Sequence, residues 1–146
     1  MSVEQVFEPH TNHAVPIEPW ECRTTRLATE WVAKGVAIVT VEGEIDAANA
    51  DRLSTYALRV ALQSDRLILD LSKLEFFGTD GFSTLHMLNV RCAKAGIRWA
   101  MVAGSAVARV LRICDPAGGL LVAGTVDAAV AAVNDEPRRL LQLVTH

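Results

Sequence analysis

At 146 residues the chain has the length of one domain and can bury a proper core. Its 51% hydrophobic and 21% charged residues exclude a disordered chain, and aromatics at 5% leave the core to Ala, Val, Leu and Ile. A formal net charge of −3, with no run of Lys and Arg, excludes a basic nucleic-acid footprint and favours a protein or small-molecule partner.

The elements follow in chain order. Residues 1–20 carry Pro9, Pro16 and Pro19 and no sustained period, which predicts a flexible arm or a segment ordered only at its C-terminal end. His10 and His13 lie within it, and no carboxylate or thiol completes a metal site at ligand spacing. The arm has no basic n-region and apolar h-region, and the chain has no apolar run of about 18 residues. The sequence therefore reads as soluble and cytoplasmic, with no membrane segment. Residues 21–30 read as a first strand, and Gly35–Val41 as a β-branched second strand closed by Glu42-Gly43-Glu44-Ile45-Asp46. Asp46 is the expected N-cap of a helix over 47–64 with Leu53, Ala57, Val60 and Ala61 inward.

Arg66–Leu71 reads as a short buried strand ending near Asp70. A second apolar patch, Phe76-Phe77, precedes Gly78-Thr79-Asp80-Gly81, and Phe82, Leu85, Leu88, Cys92 and Ala95 then recur at helical spacing until Gly96. Ile97–Val102 is the next strand, and Ser105 the expected cap of a helix with Val107, Val110, Leu111 and Cys114 inward. Pro116 and Gly118-Gly119 break the chain; Leu120–Val122 reads as a strand and Val126–Val133 as a last helix. The order ββαβαβαβα predicts a single α/β domain over 21–135 with a largely parallel sheet, followed by a C-terminal helix extension or tail over 136–146.

Four places carry candidate chemistry. Thr79 stands at a helix start, where free backbone amides and the macrodipole favour a phosphate; equally, Thr79 or Asp80 can be the cap of that helix. Asp70 stands where a receiver-type phosphoaspartate or a nucleotide site would lie, yet no suitable Lys follows Val102 and the metal-binding acids are incomplete beyond Glu44 and Asp46. An enzyme reading lacks its parts: Cys114-Asp115 has no nearby histidine, His86 is mid-helix, and neither a nucleophile elbow nor a phosphate loop is present. Cys22, Cys92 and Cys114 fall in no metal or redox spacing. The fourth place is a surface: Ser83, Met87, Val90 and Lys94 form a stripe opposite the core face of the helix, fit for a partner or for packing under a loop.

The element order, Gly43-Glu44-Ile45-Asp46, and the block Leu69-Asp70-Leu71-Ser72, Phe76 and Gly78-Thr79-Asp80-Gly81-Phe82 resemble the STAS domain, and within it the bacterial anti-sigma factor antagonists. The resemblance spans roughly residues 20–135 and implies a mixed β-sheet with about four helices packed against it. It implies protein–protein switching without catalysis and without a cofactor. The expected partner is an anti-sigma factor of the serine/threonine kinase type, which phosphorylates a Ser or Thr at the start of the second helix. Thr79 occupies that acceptor position, and Asp46 corresponds to the acidic residue close to it. Gly78, Asp80, Gly81, Ser83, Met87 and Val90 complete the expected partner surface. The pattern usually reads Asp-Ser-Ser/Thr-Gly, so Gly78 and Asp80 are departures. A STAS module that binds constitutively, or one that takes a small molecule or nucleotide near Asp70, are the alternatives.

Overall fold

The computed structural model of the protein describes residues 17–134. His10, His13 and the expected tail over 136–146 lie outside the described residues, as does the arm up to residue 16. The end of that arm packs: Ile17 and Trp20 sit against the main core.

Six strands form one sheet in sequential order: β1 (Trp20–Glu21), β2 (Thr25–Ala33), β3 (Val36–Ile45), β4 (Arg66–Phe77), β5 (Arg98–Val102) and β6 (Val122–Ala123). The first two pairings are antiparallel and the rest parallel, so the sheet is mixed. Three helices make the parallel crossovers: α1 (Ala50–Leu62), α2 (Thr79–Ala95) and α3 (Gly104–Cys114). A fourth, α4 (residues 126–134), follows β6. Each crossover steps to the adjacent strand in the same direction, and a right-handed crossover then puts α1, α2 and α3 on one face of the sheet. The core divides accordingly. Leu53, Val60, Leu85 and Leu88 meet Val39, Val41, Leu69 and Met101 on that face, while Ala129 and Val133 of α4 meet Ile38, Ile68 and Val102 on the other.

Several boundaries differ from the sequence reading. β4 does not end near Asp70 but runs to Phe77, across register shifts against β3 that let Ser72 and Lys73 interrupt the apolar alternation. α1 begins at Ala50 rather than after Asp46, because Asp46 and Asn49 first close a turn. Ser105 does not cap α3; the helix starts at Gly104 (φ +75°), where a Cβ would come 2.6 Å from Ser72 Cα, so only glycine lets the chain turn in so close to β4. Of the inward residues expected, Ala95 is exposed and Cys114 half-buried, whereas Cys92 is buried. Gly96 ends α2 in the left-handed conformation, as its position after the helical period predicts.

Candidate functional site

β3 and β4 end side by side. Ile45 pairs with Phe77, and the Gly78 N–H donates to the Ile45 carbonyl at 2.9 Å. The two loops that follow therefore leave the sheet together, one beginning at Asp46 and the other at Gly78.

The first loop satisfies its own polar groups. The Asp46 carboxylate accepts the Ala48 N–H at 2.9 Å, and Asn49 Oδ1 accepts the Asp46 N–H at 2.9 Å. Asn49 Nδ2 donates to Thr25 Oγ1 at 2.8 Å and to the Glu44 carbonyl at 2.9 Å, and Thr25 donates to that same carbonyl at 2.7 Å. Asn49 and Thr25 are buried, so the bonds their side chains make replace contacts with water that is no longer available. Sequence reasoning missed both residues; the one signal was the three-residue spacing from Asp46 to Asn49, which permits a side chain to return to the backbone.

The second loop is built differently. Gly78 has extended backbone (φ −90°, ψ 177°) that any residue adopts, and a Cβ there would meet the Phe76 ring no closer than 3.4 Å. It occupies the cap position of α2, which starts at Thr79 and has no side-chain cap. Neither Thr79 nor Asp80 is the cap, which corrects that reading. Both side chains are exposed, and Asp80 lies in the first turn, where a negative charge suits the helix dipole. Gly81 has a steric reason: a side chain added there would run into the ring of the buried Phe77. The Thr84 hydroxyl donates to the Ala50 carbonyl at 3.3 Å, tying the start of α2 to the start of α1.

The structure thus gathers Asp46, Gly78, Thr79, Asp80 and, one turn along, Ser83 at one end of the molecule. Met87 and Val90 lie about 12 and about 17 Å from Thr79 along α2, at about 1.5 Å per residue. Val90 is 40% exposed and Met87 half-buried. Beside Gly78 stands a residue of the same block that the sequence reading did not place on the partner surface: Phe76 is 50% exposed and pairs in register with Glu44.

Asp70 is not at a strand end. It is buried within β4, and its Oδ1 accepts both the N–H and the hydroxyl of Ser72, at 3.0 and 2.7 Å. An open groove of about 290 Å³ is lined by Cys22, Arg26, Glu42, Lys73 and Glu75 among others, and another of about 240 Å³ by Asn89, Arg98, Trp99 and Leu121 among others; Asp70 lines neither. Among the described residues no cluster of His, Cys, Asp and Glu is placed to hold a metal, and no helix is long and apolar enough to cross a membrane. Burial pushes the Cys92 thiol up to about 11 and raises the Tyr56 phenol, whose hydroxyl lies 2.8 Å from that of Thr29. The exposed Cys22 thiol is lowered, chiefly by the backbone hydrogen bond at Thr24.

The family model of the STAS domain matches residues 31–129, a span that holds both loops and the whole of α2. The chain belongs to the STAS domain family. This STAS domain has the fold of an anti-sigma factor antagonist from Mycobacterium paratuberculosis, at a TM-score of 0.69 and 28% identity over 77% of this chain and 96% of that one. The anti-sigma factor antagonist SpoIIAA, solved in its unphosphorylated form, shares the fold at a TM-score of 0.60 and 16% identity, over 77% of this chain and 96% of that one. In sequence, the STAS domain is 44% identical over 70 residues to Osmosensory protein A of Mycobacterium tuberculosis (strain ATCC 25618 / H37Rv), a match covering 48% of this chain and 44% of that protein. The chain therefore spans less than half of that relative's length.

Proposed function

We propose that this STAS domain is an anti-sigma factor antagonist, a cytoplasmic regulator of sigma-factor-dependent transcription. In this reading it binds an anti-sigma factor of the serine/threonine kinase type through the end of the molecule that carries Thr79. The observation that carries the reading is the exposed Thr79 side chain on the first residue of α2, in a loop that does not use it as a cap. The similarity to the antagonist from Mycobacterium paratuberculosis supports the role.

The chain performs no chemistry of its own here. Thr79 Oγ1 attacks the γ-phosphorus of ATP held by the partner, the bond to ADP breaks, and the hydroxyl proton passes to a base on the kinase. The product carries about −1.5 to −2 added charge at the helix start, where backbone amides and the macrodipole accommodate it. Asp46 and Asp80 already stand at that end, so the dianion concentrates negative charge in the contact and must be desolvated for the complex to persist. A few kcal/mol of differential binding suffices to move a complex from mostly bound to mostly free. Incubating the protein with the anti-sigma factor kinases of its source organism and ATP, then weighing it intact, tests the reading: one phosphoryl group is expected on the wild type and none on Thr79→Ala.

A second reading is a STAS module that binds constitutively. The loop favours it in one respect, since Gly78 leaves unfilled a space that a side chain fits, and Asp80 is a permanent charge beside the hydroxyl. Under this reading Thr79→Ala and Thr79→Glu bind the partner alike; a loss confined to Thr79→Glu contradicts it.

A further inference from the structure

The outer face of the helix layer mixes cations with aliphatic side chains in a regular way. On α1, α2 and α3 alike, an exposed aliphatic residue stands three or four positions from an exposed cation. The pairs are Leu62 with Arg59, Val90 with Lys94, and Ile113 with Arg109. That spacing puts both members of a pair on one side of their helix. Leu62 is 59% exposed, Val90 40% and Ile113 77%, and Arg91 and Arg112 are exposed beside them. The cations of the last turns, Arg59, Lys94 and Arg112, also offset the helix dipoles. That role gives no reason for Arg91, for Arg109 or for the aliphatic neighbours.

The three helices cross between parallel strands and α2 packs against both α1 and α3, so their C-terminal halves lie side by side. Those halves hold no acidic residue. The acids of α1 and α2 are in the first turns, at Asp51 and Asp80, and α3 has none. Asp51 is about 12 Å from Arg59 and Asp80 about 21 Å from Lys94, both beyond the Debye length of about 8 Å at physiological salt. Two acids follow the helices directly and are turned elsewhere. The Asp65 carboxylate lies against Gly35 of the β2–β3 turn, and that of Asp115 accepts the Gly119 and Leu120 N–H groups at 2.9 and 3.1 Å. The face keeps an excess of cations.

The pattern selects among anionic partners. A protein interface gathers its apolar side chains in a core with few charges and keeps the charges at the rim. Here each aliphatic tip has a cation within one turn, the reverse of that arrangement. A nucleic-acid backbone matches the cations but gives the aliphatic tips nothing to bury against. An anionic bilayer takes both: headgroup phosphates meet Arg and Lys, and each tip enters the boundary of headgroups and acyl chains on its own. We propose that the outer face of the C-terminal halves of α1, α2 and α3 docks on a membrane surface rich in anionic phospholipid. The contact is peripheral and needs no spanning helix. The same surface repels Asp51 and Asp80, so the layer tilts and the end that carries Thr79 stands off the lipid. A partner can then reach that end on the docked protein; that consequence rests on the function proposed above, whereas the lipid contact does not.

Co-sedimentation of the full chain with lipid vesicles tests it, in about 0.1 M salt, where the Debye length is about 10 Å. Vesicles of equal parts phosphatidylglycerol and phosphatidylcholine are expected to bind the wild type at least about tenfold more tightly than phosphatidylcholine alone. Two double substitutions probe the face: Lys94→Glu/Arg109→Glu for its charge and Leu62→Ser/Ile113→Ser for its aliphatic tips. Each is expected to weaken binding to the mixed vesicles at least about tenfold. Arg26→Glu/Lys73→Glu changes the net charge as much as the first double does, but in the groove that those two residues line. It is expected to bind as the wild type does. All six positions are exposed, and unchanged thermal melts show that the variants are folded. A wild type without preference for the anionic vesicles overturns the proposal. So does undiminished binding by either double on the helix face, or an equal loss in Arg26→Glu/Lys73→Glu.

Discussion

The two loops that leave the sheet beside Ile45 and Phe77 start one hydrogen bond apart and are built on opposite plans. The Asp46–Asn49 loop turns its side chains inward, so that Asn49 alone makes three bonds, to Thr25, the Glu44 carbonyl and the Asp46 amide. The Gly78–Asp80 loop is held by backbone and by shape, with the Gly78 N–H on Ile45 and Gly81 against Phe77, and its two polar side chains are left exposed. Polar residues whose bonds are all made inside the fold serve stability. Those left out while the backbone around them is fixed are available to a partner.

That contrast is open to measurement by denaturant unfolding. Asn49→Ala is expected to cost the most, about 2–3 kcal/mol, because it strands buried groups that water cannot reach. A loss below about 0.5 kcal/mol, the range of a plain surface change, would break the comparison at its first half. Gly81→Ala is expected to cost about 1–3 kcal/mol by overpacking Phe77. A neutral result would mean that the ring moves aside and the loop is not held by shape.

A pH series asks which groups titrate with folding. The Cys92 thiol has a folded pKa of about 11 against an ordinary 9.0, so the native state holds that proton more tightly than the unfolded chain. Its contribution is complete below pH 9.0 and is lost as the pH rises from there to about 11, and Tyr56, also raised by burial, acts in the same direction. Thermal melts should therefore fall across that alkaline window, and more shallowly in Cys92→Ala. A melt as steep in Cys92→Ala as in the wild type would contradict this assignment.

The smallest effects belong to the second loop. Gly78→Asp is expected to raise stability by a few tenths of a kcal/mol, since the backbone accepts it and Asp is a better cap than Gly. Thr79→Ala should change stability by less than about 0.5 kcal/mol while abolishing phosphorylation. A larger loss would assign Thr79 to the fold instead of to a partner.

What the sequence made legible follows the same division. Leu53, Ala57, Val60, Leu85, Leu88 and Cys92 were readable as core because helical periodicity records burial directly. The class of fold followed from the alternation of elements, and Gly96 from its place after the last periodic residue. The reading failed where local signals compete. Asp46 has the chemistry of a cap, yet Asn49 draws the chain into a turn first; Ser105 likewise yields to Gly104, whose close approach to Ser72 leaves no trace in composition. β4 was cut short because its register shifts break the period of two through Ser72 and Lys73. The Thr25–Asn49 pairing joins residues far apart in the chain, and no local pattern encodes it. The block around Thr79 marks it as a candidate, whereas nothing in that block shows that Phe76, one of its residues, is half exposed beside the loop.

The claim at the centre of this account is that the second loop holds a phosphoacceptor. Intact-mass measurement after incubation with the source organism's anti-sigma factor kinases and ATP tests it most directly. The account predicts one phosphoryl group on the wild type and none on Thr79→Ala. No phosphate on the wild type, or the same phosphate on both, would contradict it.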